Sequence, residues 1–156
     1  MEILLDGNDW KLTHLIPSEW LFLKVWQDNW EPTKAFPPST PWMKGTVPGD
    51  VILDAIDNGL VPHPYKDIQS RACEWLSERD WVYAKTFKIP KDWKKKTLRV
   101  RFDGIDFDCQ VYLNGEFLCR HVGMFTPFEI DITKLARFDR PNNLVIIIEH
   151  KPSVDR

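Results

Sequence analysis

The sequence predicts an all-β sandwich carrying two short helices, and three observations carry that prediction. Short runs of alternating apolar and polar residues recur through the second half of the chain, with the period of two that suits half-buried strands. Asn114-Gly115 lies between two of these runs, and this dipeptide readily takes the positive φ angles of a type I′ hairpin turn. Seven or eight such strands stand against only two helical stretches, the element content of a sandwich.

Taken in order, residues 3–16 read as one or two short strands. Residues 17–46 hold Pro17, Pro32, Pro37, Pro38 and Pro41 among aromatics, without the Gly and Ser of a flexible linker, which predicts an irregular but packed excursion. Asp50 can cap a helix over Val51 to Asn58, where Ile52, Ala55 and Ile56 follow helical spacing and Asn58-Gly59 supplies the stop. A second helix, near Arg71 to Glu78, precedes a strand from Trp81 to Ile89 that ends at Pro90. Lys91 to Lys96 form a solvated basic turn. Thr97 to Asp103, Phe107 to Leu113 and Glu116 to Val122 are the clearest strands. Phe128 to Ile132 and Leu144 to Glu149 follow, with a short helical turn near Leu135 between them.

A two-residue turn at Asn114-Gly115 sets a register in which Leu113 opposes Glu116, Cys109 opposes Arg120 and Gln110 opposes Cys119. That register puts Cys109 and Cys119 on opposite faces, so they should not bond. Phe107, Cys109, Val111 and Leu113 then form the core face. Asp108, Gln110, Tyr112, Phe117, Cys119 and His121 form the other, which is a sugar-contacting surface, a seam with another domain or an ordinary solvated face.

Composition narrows the function. The 156 residues suit one domain, and 21 Lys plus Arg against 23 Asp plus Glu leave no electrostatic footprint for nucleic acid or an anionic membrane. The opening Met1-Glu2-Ile3-Leu4-Leu5-Asp6 lacks the basic and apolar regions of a secretory signal, and no apolar run spans a bilayer; the expected location is cytoplasmic. Three cysteines without Cys-x-x-Cys spacing fit a reducing compartment. Of the eight tryptophans, Trp10, Trp42, Trp81 and Trp93 lie in or beside predicted strands, while Trp20, Trp26 and Trp30 fall where no period is visible. Core or interdomain packing is favoured for them over sugar stacking, because indole is first a large apolar group.

The run Phe102-x-Gly104-x-Asp106, then Val111-Tyr112-Leu113-Asn114-Gly115, then Gly123-x-Phe125-x-Pro127-Phe128-x-x-Asp131-Ile132-Thr133 resembles the amino-terminal sugar-binding domain of glycoside hydrolase family 2. Leu5-Asp6-Gly7-Asn8-Asp9-Trp10-Lys11-Leu12 is similar to its opening strand and Val47-Pro48-Gly49-Asp50-Val51 to its V-P-G-D-V segment. Pro64-Tyr65, Glu74-Trp75 and Asp80-Trp81-Val82-Tyr83 fall in the order of the β-mannosidase-like branch. The resemblance implies a jelly-roll, galactose-binding-like fold over 1–156, part of a larger retaining glycosidase. The expected partners are carbohydrate and the catalytic (β/α)₈ barrel.

The resemblance also implies a rim loop at the sugar pocket, whose matching residues are Tyr65, Asp67, Gln69 and Trp75. The chain departs from the family at Gln69, where relatives often carry Asn, at Asp67-Ile68, before Gly123, where an acid is usual, and after Val51, where His is usual. No pair of carboxyls can be placed across a glycosidic bond, which needs about 5–5.5 Å between them in retaining enzymes, so no catalytic residue is assigned. His14, His63, His121 and His150 lack metal-ligand spacing, no phosphate loop is present, and no cofactor is expected. Two other classes remain open: a free-standing carbohydrate-binding module and a purely structural interaction domain. If the natural chain continues beyond Arg156, an edge strand is expected to lie uncovered here, with self-association as its consequence.

Overall fold

The computed structural model describes residues 2–28, 30–32, 42–47, 79–102, 108–122 and 127–149. Eight strands and one short α-helix are found among them. The strands are β1 (Gly7–Leu15), β2 (Met43–Val47), β3 (Asp80–Phe87), β4 (Arg99–Phe102), β5 (Asp108–Leu113), β6 (Glu116–Val122), β7 (Phe128–Asp131) and β8 (Asn142–Ile148). The helix, α1, is Glu19–Leu23. The expected helices Val51 to Asn58 and Arg71 to Glu78 lie outside the described residues.

Six strands form one antiparallel sheet in the order β2-β1-β3-β8-β5-β6, and β4 pairs with β7 in a second. The all-β sandwich is the observed fold. Trp10 and Leu12 of β1, Trp81 and Tyr83 of β3, Leu144 and Ile146 of β8, and Cys109, Val111 and Leu113 of β5 alternate onto the inner face. They meet Val100 of β4, Leu98 and Ile132 there. Gly45 of β2 is needed at this seam, because a Cβ would stand 3.2 Å from the Tyr83 ring and 3.3 Å from Leu12 Cβ.

The outer face of the large sheet is covered too over its central strands. Val82 and Ala84 of β3, Val145 and Ile147 of β8, and Tyr112 of β5 pack beneath Leu15, Trp20, Val25 and Trp30. The described part of the Pro- and Trp-rich excursion is therefore packed, as expected, and its tryptophans build a second core. Two elements in it were not anticipated. α1 turns Trp20 and Leu23 toward the sheet and leaves Leu21 and Phe22 exposed; a five-residue helix is too short to show a period. β2 is a Lys- and Gly-bearing edge strand whose pattern is equally short.

Double coverage explains the composition of the central strands. Trp81-Val82-Tyr83-Ala84 and Leu144-Val145-Ile146-Ile147 are buried without alternation, because both of their faces meet apolar layers. The hairpin turn is as expected, with φ of 53° at Asn114 and 84° at Gly115. Its register is not. A bulge between Val111 and Tyr112 slips the pairing after Tyr112↔Phe117, so that Val111 opposes Cys119, Gln110 opposes Arg120 and Cys109 opposes His121. The correction brings Cys119 and His121 onto the same side of the ribbon as Cys109, and turns Arg120 to the outside. Both cysteines are nonetheless free thiols.

Candidate functional site

Tyr65, Asp67, Gln69 and Trp75 lie outside the described residues, so their placement adds nothing to the expected rim loop. What is described is the point where that segment rejoins the sheet, at Asp80. Here three carboxyls stand in one row on the outer face. Trp81 and Cys109 both oppose Ile148, which sets Asp80 and Asp108 on either side of Glu149. The Glu149 amide donates to the Asp108 carbonyl at 2.9 Å.

Each carboxyl is tied to a neighbour. Asp80, only 2% exposed, accepts a hydrogen bond from the Ser18 amide at 2.9 Å, joining the outer tryptophan segment to β3. Asp108 holds Arg120 in a bidentate pair, Nε to Oδ1 at 3.0 Å and Nη2 to Oδ2 at 2.6 Å. The Gln110 side-chain amide donates to Glu149 Oε1 at 3.1 Å. Burial raises the pKa of the Glu149 carboxyl; the hydrogen bond from Gln110 opposes the rise, and Asp108 and Asp80 add to it. The Asp108 partner, in turn, raises the pKa of the Arg120 guanidinium.

Aromatic rings continue this face. Trp26 stacks flat on Tyr112, centroids 4.8 Å apart and planes 8° apart, and Phe117 meets Tyr112 edge-on at 5.5 Å. Phe117 is 55% exposed, while Tyr112 is covered. The ledge so formed runs from Phe117 past Arg120 and Gln110 to Asp108 and Glu149. Sequence reasoning placed Asp108, Gln110, Tyr112 and Phe117 here but missed Arg120, Asp80 and Glu149. One signal was legible: the unbulged register buried Arg120 on the core face, a conflict that a one-residue slip relieves.

The inner side of the same ribbon is chemically quiet. Burial pushes the Cys109 thiol up to about 11, with the His121 backbone hydrogen bond working against it, and also raises Cys119. The His121 ring stacks on Phe128 with centroids 4.0 Å apart. Elsewhere, a recess of about 60 Å³ opens among Lys11, Asp28, Trp30, Lys85, Thr86 and Asn143. Sites for drug-sized ligands span about 300–1,000 Å³, so it is too small for a sugar. Among the described residues no group of three His, Cys, Asp or Glu side chains is arranged to hold a metal.

The family profile described as glycosyl hydrolase 2 galactose-binding domain-like matches residues 20–156. The chain belongs to this family. A β-galactosidase of Thermoanaerobacter pseudethanolicus is 35% identical over 91 residues, which are 58% of this chain and 11% of that protein. β-Mannosidase B of Thermothelomyces thermophilus is 29% identical over 122 residues, 78% of this chain and 14% of that one. The crystal structure of β-D-mannosidase from Dictyoglomus thermophilum superposes on 96% of the chain with a TM-score of 0.75 and 29% identity, covering 16% of that enzyme. As a galactose-binding domain-like unit, the chain thus spans about a tenth to a sixth of the length of these relatives.

Proposed function

We propose that this chain is the non-catalytic, amino-terminal sugar-binding domain of a retaining glycoside hydrolase of the β-mannosidase type. In this reading residues 1–156 pack on a catalytic (β/α)₈ barrel and border its sugar pocket. Tyr65, Asp67, Gln69 and Trp75 form the rim, and the buried Asp80 anchors the segment where it returns to the sheet. An uncovered edge strand that promotes self-association of the isolated domain belongs to the same reading. The observation that supports it is the fit of nearly the whole chain, at a TM-score of 0.75, to a small part of a β-mannosidase.

The carboxyls of the outer row support a structural task and not hydrolysis. Asp80 and Asp108 are committed to Ser18 and Arg120, and Glu149 is bound to Gln110. The test compares the natural full-length protein with the same protein lacking residues 1–156, using an aryl β-mannoside. Removal should lower kcat/KM by roughly a hundredfold or more, because a misplaced pocket wall alone can cost that much. Full activity without the domain, or turnover by the 156-residue chain alone, would overturn the proposal.

A further inference from the structure

We propose that the outer face of β5 and β6 is a second carbohydrate-binding surface, built from residues other than those of the rim loop, which takes a neutral oligosaccharide across Phe117, Arg120 and Gln110. This goes beyond the role at the catalytic pocket, since the ledge is built from strands and not from that loop. Phe117 is 55% exposed on an edge strand, yet it is held by the Tyr112 ring at 5.5 Å, which is itself clamped under Trp26. An exposed ring with a fixed orientation is a platform for the apolar C–H face of a pyranose.

Polar groups lie one rung away on the same face, because the bulge sets Tyr112↔Phe117 beside Gln110↔Arg120. Asp108 grips Arg120 through Nε and Nη2, so the guanidinium is oriented and its Nη1 protons are left to donate to hydroxyls. Gln110 gives its amide to Glu149 and keeps its carbonyl oxygen as an acceptor. Donor and acceptor beside a ring match a polyol. Among the described residues the charge balance sets the class: Asp80, Asp108 and Glu149 outnumber the Arg120 guanidinium in the row, and an anionic sugar would meet repulsion. Among the described residues the surface is an open ledge and not a cleft. It therefore suits a chain lying along it more than a single sugar enclosed by it, with the modest affinity of a small contact.

Two-dimensional NMR titration of the 156-residue chain tests this with β-1,4-mannotetraose and with its charged counterpart, β-1,4-tetramannuronate. Mannotetraose at about 10 mM should shift the Phe117 and Arg120 amides and the Gln110 side-chain amide, as binding in the millimolar range requires. Phe117→Ala should weaken binding roughly tenfold, the scale of one lost aromatic anchor. Phe22→Ala removes a ring that is still more exposed, at 84%, and should change nothing. Tetramannuronate should bind about tenfold more weakly than the neutral sugar. Absence of shifts, binding that survives Phe117→Ala or falls equally in Phe22→Ala, or equal binding of the charged sugar would each overturn the proposal. No catalysis enters the readout, so its failure is distinct from failure of the pocket-wall role.

Discussion

His14 shows how one buried side chain ties the fold to pH. It lies on the inner side of β1, 5% exposed, with its ring 5.3 Å from Trp81. Burial holds its pKa down at about 4 from an ordinary 6.5, and the positive charge of Arg79 works in the same direction. The folded value lies below the unfolded one, so the unfolded chain takes up the proton first as pH falls. The stabilisation is complete above the unfolded value and is lost between 6.5 and about 4, by as much as roughly 3 kcal/mol. Urea unfolding across that window should show stability falling in the wild type. His14→Phe keeps a ring against Trp81 and should flatten the difference; parallel slopes would remove His14 as the cause. Asp9 and Asp131 have lowered pKa values, through hydrogen bonds with Lys85 and Thr133, and their contributions are lost only at still lower pH. Nothing in the sequence around His14 announced its burial beyond its place in an alternating strand.

Elements divide between those whose chemistry is local and those settled by packing. The Asn114-Gly115 turn was legible because positive φ is a property of the dipeptide itself. Its second task was not. The Asn114 side chain donates to the Leu135 carbonyl at 2.8 Å and to Asn142 Oδ1 at 3.0 Å, and accepts from the Asn143 amide at 2.8 Å. Asn142, fully buried, also accepts from the Arg137 amide at 2.7 Å, so the turn, β8 and the helical turn at Leu135 share one polar network. Asn114→Ala should therefore cost about 2–4 kcal/mol through buried groups left unpaired. Asn114→Gly should cost about 1 kcal/mol less, since it keeps the backbone angle. Equal losses in the two variants would show that the side-chain network and not the turn angle sets the cost. The bulge beside this turn depends on strand packing, which brings both Leu118 and Cys119 toward the core, and no two-residue turn rule foretells that. The tryptophan layer was legible as packed material but not as the cover of an outer face. Trp20, 4% exposed, bears on that sheet, and Trp20→Ala should destabilise by about 3–5 kcal/mol in denaturant unfolding.

At the scale of the whole molecule, the sandwich is lopsided among the described residues: a six-stranded sheet whose central strands carry apolar layers on both faces opposes a two-stranded ribbon. The class was readable from alternation in β5, β7 and β1, where one face stays polar over part of the strand. The double coverage was harder to read, because β3 and β8 show only that they are buried and not by what. This asymmetry sets an order of local stability. β3 and β8 are paired along both edges and covered on both faces, so their amides can exchange only when the sheet itself opens. β4 and β7 form one four-rung ladder, Arg99↔Asp131 to Phe102↔Phe128, with Arg99, Arg101 and Glu129 exposed on its outer side. A two-stranded ribbon is marginal by itself and depends on the contacts of Val100, Phe102, Phe128 and Ile130 with the inner core. Hydrogen exchange followed by NMR should find the amides of Val82 to Lys85 and Val145 to Ile147 exchanging at the rate of global unfolding. Val100 and Ile130 should exchange faster by about two orders of magnitude, through local opening of the ribbon. Ile147→Val, a milder change in the outer layer that costs about 1 kcal/mol against the roughly 2.7 kcal/mol separating the two rates, should then accelerate the β3 and β8 amides and leave the ribbon amides nearly unchanged. If ribbon and sheet amides instead share one exchange rate and accelerate together, the two layers unfold as a single unit and the hierarchy drawn from their coverage is wrong.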